Sequence, residues 1–92
     1  MSSLESGNVT FSPEAFDEIL FWASEDRKIL KRIKSLISDI KRNGLLNGIG
    51  EPEQLKYGTE RYSRRINQEH RLVYTLKSGT LFIISCRGHY SE

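Results

Sequence analysis

The chain has 92 residues, of which 14 are basic and 12 acidic, with a formal net charge of +2 and a single cysteine. This length predicts one small domain with a modest core. No apolar run approaches the ~20 residues of a membrane span, and no secretory leader is visible. One cysteine cannot form an internal disulfide, so we expect a cytoplasmic protein. Because no set of residues has the spacing of metal ligands, we expect no metal or other cofactor.

The charge is unevenly distributed along the chain. Residues 1–26 contain six acidic residues and no Lys or Arg, whereas residues 27–92 contain all fourteen basic residues and six acidic ones. This asymmetry favours a surface that binds a polyanion, although a net charge of +2 would not by itself indicate nucleic acid.

The predicted elements begin after a short polar segment. We predict a disordered lead over residues 1–8, a folded domain over residues 9–90 and a C-terminal extension at 91–92. A short strand is predicted just before Ser12. The Ser12-Pro13 pair is typical of a helix start, and apolar spacing predicts that this helix ends near residues 22–23.

A second helix is predicted from Arg27 to Lys41, with Ser24 or Asp26 as its N-cap and Gly44 as its C-cap. Its apolar residues recur at helical spacing, and its basic residues are interpreted as a solvated face rather than a direct RNA contact. Residues 44–50 hold three glycines and three aliphatic residues, which predicts a loop packed down by its apolar side chains.

The remainder of the chain predicts an antiparallel meander. Pro52 disfavours the helical region for the residue before it, so residues 51–58 are expected to be extended, with Leu55 as an anchor. Three runs rich in β-branched and aromatic residues follow. The expected fold is therefore a small α+β single domain, with two N-terminal helices packed on one face of a mostly antiparallel sheet.

Two loops predict the register of this sheet. A two-residue loop at Ser78-Gly79 predicts three cross-strand pairs, namely Arg71–Cys86, Val73–Ile84 and Thr75–Phe82. A three-residue loop at 67–69 places Arg65 opposite Arg71. Because like charges directly opposite each other destabilise a sheet, this pair suggests an anion such as phosphate between the two guanidinium groups. The alternative is that both side chains splay into solvent.

Five segments carry a family resemblance: Phe21-Trp22, Gly48–Lys56, Tyr62–Ile66, Glu69–Tyr74 and Cys86–Tyr90. Each alone is a weak signal, but in this order and spacing they resemble the YoeB group of RelE-like toxins from bacterial toxin–antitoxin pairs. The resemblance covers residues 9–90 and implies a RelE-like fold. It also implies a ribosome-dependent endoribonuclease that cuts mRNA in the decoding site, without metal, and arrests translation.

Roles for individual residues also follow from the resemblance. Four match the reaction chemistry: Glu53 as the general base, Arg71 as the phosphate-stabilising arginine, His89 as the general acid and Tyr90 as the residue that completes the site. Two match basic residues near the substrate, Lys56 and Arg65. Such a set can act without a cofactor, because RNA supplies its own 2′-OH nucleophile.

The resemblance further implies the 70S ribosome and mRNA as partners, together with a cognate acidic antitoxin similar to YefM. A homodimer is a further expectation, operator DNA is expected only through the antitoxin, and no membrane is expected. The alternative function is a non-catalytic module that binds the ribosome or nucleic acid together with an antitoxin. The Glu53, Arg71 and His89 set favours the enzyme, because a pure binder needs neither an acid nor a base.

The sequence departs from the family pattern in three places. Gln54 stands where the family often has a second proline, and Ser91-Glu92 extends the chain past the tyrosine. Gly88 stands where the residue before the histidine is often aromatic. A glycine at this position predicts a looser segment next to His89 and Tyr90.

Overall fold

The computed structural model describes residues 7–56 and 60–88, which form two helices on one face of a five-stranded sheet. The elements in chain order are β1 (Val9–Phe11), α1 (Pro13–Glu25), α2 (Arg27–Asn43), β2 (Glu53–Gln54), β3 (Tyr62–Arg65), β4 (Arg71–Lys77) and β5 (Thr80–Ser85). Of the predicted lead only Gly7 and Asn8 are described, and the predicted extension at 91–92 lies outside the described residues. Neither helix of this described part is long and apolar enough to cross a bilayer.

The strand order across the sheet is β1-β5-β4-β3-β2. The first strand runs parallel to the last, with Val9 opposite Leu81 and Phe11 opposite Ile83, and every other pairing is antiparallel. The predicted α+β domain with a mostly antiparallel sheet is therefore confirmed. The parallel pair arises because the two helices form the crossover between β1 and the meander.

Local capping explains where the helices begin and end. The Ser12 hydroxyl accepts a hydrogen bond from the Ala15 amide at 2.9 Å, which supports the predicted start of α1. This helix runs to Glu25, past its predicted end, because Asp26 alone forms the break. The Asp26 amide donates to the Trp22 carbonyl, and its carboxylate accepts from the first amides of α2. The latter helix ends at Asn43, two residues beyond the prediction, with Gly44 as the predicted C-cap.

The core lies between the two helices and the sheet. Its buried members are Ala15 and Trp22 of α1, Ile33, Leu36 and Ile40 of α2, and Tyr62, Ile66, Leu72, Tyr74, Leu81, Ile83 and Cys86 of the sheet and its flanks. Because side chains alternate along a strand, the intervening residues of β3 and β4 point to the opposite side. We call that side, away from the helices, the open face. Replacing one of the buried aliphatic residues by alanine is expected to cost about 2–5 kcal/mol.

A β-bulge between Val73 and Tyr74 changes part of the predicted register. The Thr75–Phe82 and Arg65–Arg71 pairs are confirmed, but Val73 lies opposite Ser85 rather than Ile84. The predicted Arg71–Cys86 pair is wrong for the same reason, since one extra residue on β5 shifts everything after it. The shift turns Cys86 to the helix side, where it is fully buried.

The loop at residues 44–50 is held mainly by a buried arginine. Of its three apolar side chains, Leu45 packs against the core as predicted, whereas Leu46 and Ile49 are 46% and 43% exposed. Arg64 instead donates all five of its N–H groups, which reach Tyr74 Oη, Asp39 Oδ2 and the carbonyls of Gly44, Asn47 and Ile49 at 2.6–3.0 Å. The arginine side chain is fully buried, so the loop conformation depends on it.

Asp39 completes this network on α2. Its Oδ2 accepts from Arg64 at 2.6 Å and from the Ile49 amide at 3.0 Å. Burial by itself would raise the pKa of Asp39, but these hydrogen bonds and the arginine charge outweigh burial and hold the pKa below its ordinary value. Gly48 has a φ of +115°, and a Cβ there would collide with the Asp39 carboxylate, so the tight fit explains this glycine.

Candidate active site

The open face of β2, β3 and β4 brings together three of the predicted site residues. Arg65 and Arg71 are direct partners across β3 and β4. Glu53 pairs with Ser63, which lies two residues from Arg65 on the same side of β3. The resulting distance from Arg71 Nη1 to Glu53 Oε2 is 3.7 Å. A carboxylate and two guanidinium groups therefore share one patch of the sheet surface.

Among residues 7–56 and 60–88, the arginines of this patch form only loose ion pairs. Arg65 Nη2 lies 3.6 Å from Glu51 Oε1, and both this ion pair and that of Arg71 with Glu53 exceed hydrogen-bond distance. In the part of the chain that the structure describes, Arg65 Nε and Ser63 Oγ are buried and have no hydrogen-bond partner. Two adjacent guanidinium groups repel each other, and their ion pairs are loose. They are therefore suited to binding an anion between them.

The exposure of the side chains suits a surface that receives a large substrate. The Glu53 side chain is 58% exposed, and the Arg71 side chain is 22% exposed. The carboxylate is thus open to solvent, while the arginine rises from the sheet beside it. Glu53 and Arg71 are thus placed where a large substrate could reach both side chains.

The Arg64 network places Glu53 at the sheet edge. The loop that Arg64 holds ends at Gly50, whose carbonyl accepts from the Arg65 amide at 2.7 Å. Glu51 follows with a φ of 50°, and the chain then pairs with β3 through β2. Leu55 is buried as predicted, and its amide donates to the Arg61 carbonyl at 2.8 Å. The position of Glu53 is therefore fixed on both sides along the chain.

The other predicted site residues are placed differently. Lys56 is exposed and follows Leu55 just beyond β2. His89 and Tyr90 lie outside the described residues. The described chain ends at Gly88, whose carbonyl accepts from the Arg71 amide at 3.0 Å. The Gly88 amide also donates to His70 Nδ1 at 2.8 Å, and the segment predicted to be looser, at His89 and Tyr90, lies outside the described residues.

Sequence reasoning missed the parts played by Arg64 and His70. Arg64 lies in the Tyr62–Ile66 segment that carries the family resemblance, but it faces the helices and is saturated by hydrogen bonds. The alternation of side chains along β3 is the signal that separates it from Arg65, because two neighbouring strand residues must face opposite sides.

Cys86 takes no part in the chemistry of this face. Burial, with the nearby carboxylate of Glu18, raises the pKa of its thiol to about 12. A thiol that stays protonated at neutral pH is a poor nucleophile. Over residues 7–56 and 60–88, no three His, Cys, Asp or Glu side chains are grouped as they would be around a metal ion.

Comparison with known proteins identifies the family. Residues 11–90 match the model of the YoeB-like toxin of bacterial type II toxin–antitoxin systems. The chain is 48% identical over 85 residues to the Toxin YoeB of Synechocystis sp., covering 91% of this chain and 98% of that protein. The YoeB dimer from Staphylococcus aureus superimposes with a TM-score of 0.85 at 50% identity, covering 90% of this chain and 97% of that chain. The YoeB–YefM complex from the same organism gives 0.84 at 50% identity, with the same coverage. This chain therefore belongs to the YoeB-like toxins of bacterial type II toxin–antitoxin systems.

Proposed function

We propose that this protein is an endoribonuclease that cuts mRNA on the 70S ribosome in the cytoplasm and so arrests translation. The observation that carries the proposal is the open-face patch, where the Glu53 carboxylate lies 3.7 Å from Arg71 and Arg71 stands opposite Arg65. Family membership supports the same function. A surface that only bound RNA would have no use for a carboxylate at the centre of its basic residues.

The proposed reaction begins with the ribose 2′-OH. Glu53 removes its proton, and the 2′-oxygen attacks the adjacent phosphorus. Arg71 stabilises the extra negative charge that develops on the phosphoryl oxygens, with Arg65 beside it. His89 donates a proton to the departing 5′-oxygen, and Tyr90 completes the site. The products are a 2′,3′-cyclic phosphate and a free 5′-hydroxyl, so protons and bonds balance without an added reactant.

The openness of the patch supports the need for a ribosome. Cleavage requires the 2′-oxygen, the phosphorus and the leaving oxygen to be nearly in line, and correct orientation supplies much of the rate. The Glu53 side chain is 58% exposed, so a large, externally held substrate can reach it. The decoding site of the ribosome holds mRNA in a defined conformation and would supply this orientation.

We also propose that the chemical step needs no metal, because protein side chains fill the roles of base, acid and charge stabiliser. The test uses pre-formed ribosome–mRNA complexes, since ribosomes themselves need magnesium, and protein stripped by chelator before mixing. A rate restored only by added zinc or manganese would show that a metal takes part.

The proposed partners include an acidic antitoxin similar to YefM, which would neutralise the basic surface. One S. aureus relative is a YoeB–YefM complex and another is a YoeB dimer, which supports an antitoxin and a homodimer here. Operator DNA would be bound only through the antitoxin. Co-expression of the neighbouring reading frame is expected to relieve growth arrest caused by this protein. A protein that is harmless alone, with no adjacent gene that changes growth, would count against toxin activity in this member of the family.

The decisive experiment is primer extension on a defined mRNA in a programmed ribosome, with and without the protein. We expect cuts confined to the codon in the A site, with 2′,3′-cyclic phosphate ends. Free mRNA is the matched control and is expected to remain intact. Stalled ribosomes with uncut mRNA would replace the enzyme by a non-catalytic ribosome-binding module.

A further inference from the structure

Four hydrogen bonds to the main chain hold residues 86–88 in place. The Cys86 amide donates to Glu18 Oε1 at 2.7 Å, and the Cys86 carbonyl accepts from Trp22 Nε1 at 3.0 Å. The Gly88 amide donates to His70 Nδ1 at 2.8 Å, and the Gly88 carbonyl accepts from the Arg71 amide at 3.0 Å. Three of these four contacts use side chains from elsewhere in the chain.

The two hydrogen bonds from α1 to residues 86–88 come from side chains that lie one helical turn apart. Glu18 and Trp22 are at i and i+4 on α1, so they project from one face and reach both polar groups of Cys86. The Arg87 guanidinium lies 3.8 Å from the centroid of the Phe21 ring, which adds a cation–π contact to the same helix. The chain is thereby held against α1 just after the regular ladder of β5 has ended at Ser85.

The side-chain contact from the sheet to Gly88 is made by one ring nitrogen of His70. Because Nδ1 accepts the hydrogen bond from Gly88, it carries no proton, and the neutral ring must be protonated at Nε2. The ring is packed edge-on against Trp22, with 4.8 Å between centroids and 70° between planes. Trp22 thus contacts Cys86 through its indole N–H and His70 through its ring. It therefore links the contacts from the helix with the contact from the sheet.

From this geometry we propose that His70 is a positioning residue for the cleavage reaction. It fixes Gly88, the residue to which His89 is bonded, directly beside Arg71. The inference rests on the proposed function, in which His89 donates the proton to the leaving group. Gly88 has a φ of +90°, a conformation that glycine adopts readily, and its amide and carbonyl are held by hydrogen bonds to His70 and the Arg71 amide. Loss of the Nδ1 contact would free the attachment point of the general acid.

The test compares three substitutions of His70. H70A removes the acceptor, H70Q places an oxygen near the former Nε2 position, and H70N places one near the former Nδ1 position. We expect H70A and H70Q to lower single-turnover cleavage on saturating ribosomes by about 10²-fold, since small misplacements have effects of that size. H70N is expected to recover most of this loss, and ribosome affinity is expected to stay constant in all three. E69Q is the matched control, because it changes only the carboxylate near Nε2.

A second readout does not depend on activity. Hydrogen exchange of the Gly88 amide is expected to be slow in the wild type and H70N, and fast in H70A and H70Q. In an H89A background, H70A is expected to cause no further loss of rate, because the two changes act through the same proton transfer. Equal rates in H70Q and H70N, or unchanged Gly88 exchange in H70A, would overturn the positioning role. A wild type that cuts no mRNA but shows the exchange pattern would instead overturn the proposed function alone.

Discussion

Arg71 and Glu53 face each other across the open side of the sheet, with 3.7 Å between Nη1 and Oε2. This separation allows attraction but no direct hydrogen bond. A phosphate that approached Arg71 would find its N–H groups available without first breaking a tight ion pair. The carboxylate would remain next to the phosphate, where a base for the 2′-OH must stand.

Substitution of Arg71 is expected to affect the transition state most. R71A should lower single-turnover cleavage by about 10²-fold or more, because a charge-stabilising contact is lost. R71K should recover only part of the rate, since an ammonium lacks the planar fork of guanidinium. The measurement is cleavage of pre-bound mRNA, and K31A on the exposed side of α2 is the charge-matched control. Equal rates in R71A and K31A would remove Arg71 from the site.

Glu53 is expected to contribute as a proton acceptor rather than as a binding group. E53Q keeps the size of the side chain but abolishes its basicity, so cleavage should fall by about 10²–10⁴-fold. Ribosome affinity, measured by co-sedimentation, should be nearly unchanged. E51Q removes the same charge two residues away and is expected to change the rate far less. If E53Q cut at the wild-type rate, another base would have to be sought.

The acid and the base are expected to act as a unit. H89A and E53A should each slow cleavage of pre-bound mRNA, and the double variant should lose less than the product of the two single losses. The measurement is a double-mutant cycle on single-turnover rates. Fully multiplicative losses would indicate that the two residues act in independent steps.

Substitution of Arg64 is expected to act mainly by lowering the free energy of unfolding. R64A would leave the partly buried Asp39 carboxylate without its arginine partner, at a cost of about 3 kcal/mol in the free energy of unfolding. R64K keeps the charge but has only three donors for five acceptors, and each acceptor left unpaired costs about 1–3 kcal/mol. Urea denaturation measures both losses, with K28A on the surface of α2 as the control. A stability of R64K equal to that of the wild type would contradict the role of the five-bond network.

Asp39 gives the fold an acid-sensitive component. Because its pKa is lowered in the folded state, its contribution to stability is present above the unfolded value of about 4 and is lost as the pH falls through the folded pKa. The free energy of unfolding is therefore expected to decline below about pH 4 in the wild type. D39N should be less stable at pH 7 and should show a flatter acid dependence. Parallel pH profiles for the two proteins would place the acid sensitivity elsewhere.

The sequence predicted the layered fold because each element has a clear local signal. Ser12-Pro13 indicates a helix start, Gly44 a helix end, and Ser78-Gly79 a tight hairpin. The Arg65–Arg71 pair could be predicted as well, since a loop length fixes the register of an antiparallel pair.

What could not be predicted depends on contacts between distant residues. The bulge at Val73 and Tyr74 has no local sequence pattern that marks it. Arg64 contacts the loop at residues 44–50, which is 14–20 positions away in the sequence. Nothing in the local sequence distinguishes this residue from an exposed arginine. The hydrogen bond between His70 and Gly88 connects the start of β4 to residues beyond β5. The assignment of Glu53, His89 and Tyr90 to roles came from family resemblance and not from local physics.

The parallel pairing of β1 with β5 has a consequence for how the domain folds and opens. The Ser12 hydroxyl reaches the Ile84 carbonyl across 72 residues, so this junction forms only after a very long loop has closed. The antiparallel β3–β4–β5 meander can form through much shorter loops, and β1 is expected to dock on it late. Because β1 has three residues and lies at an edge of the sheet, it is expected to detach in local fluctuations. Each detachment uncovers the edge of β5, so the rate of this opening governs how readily a foreign strand can pair with the sheet.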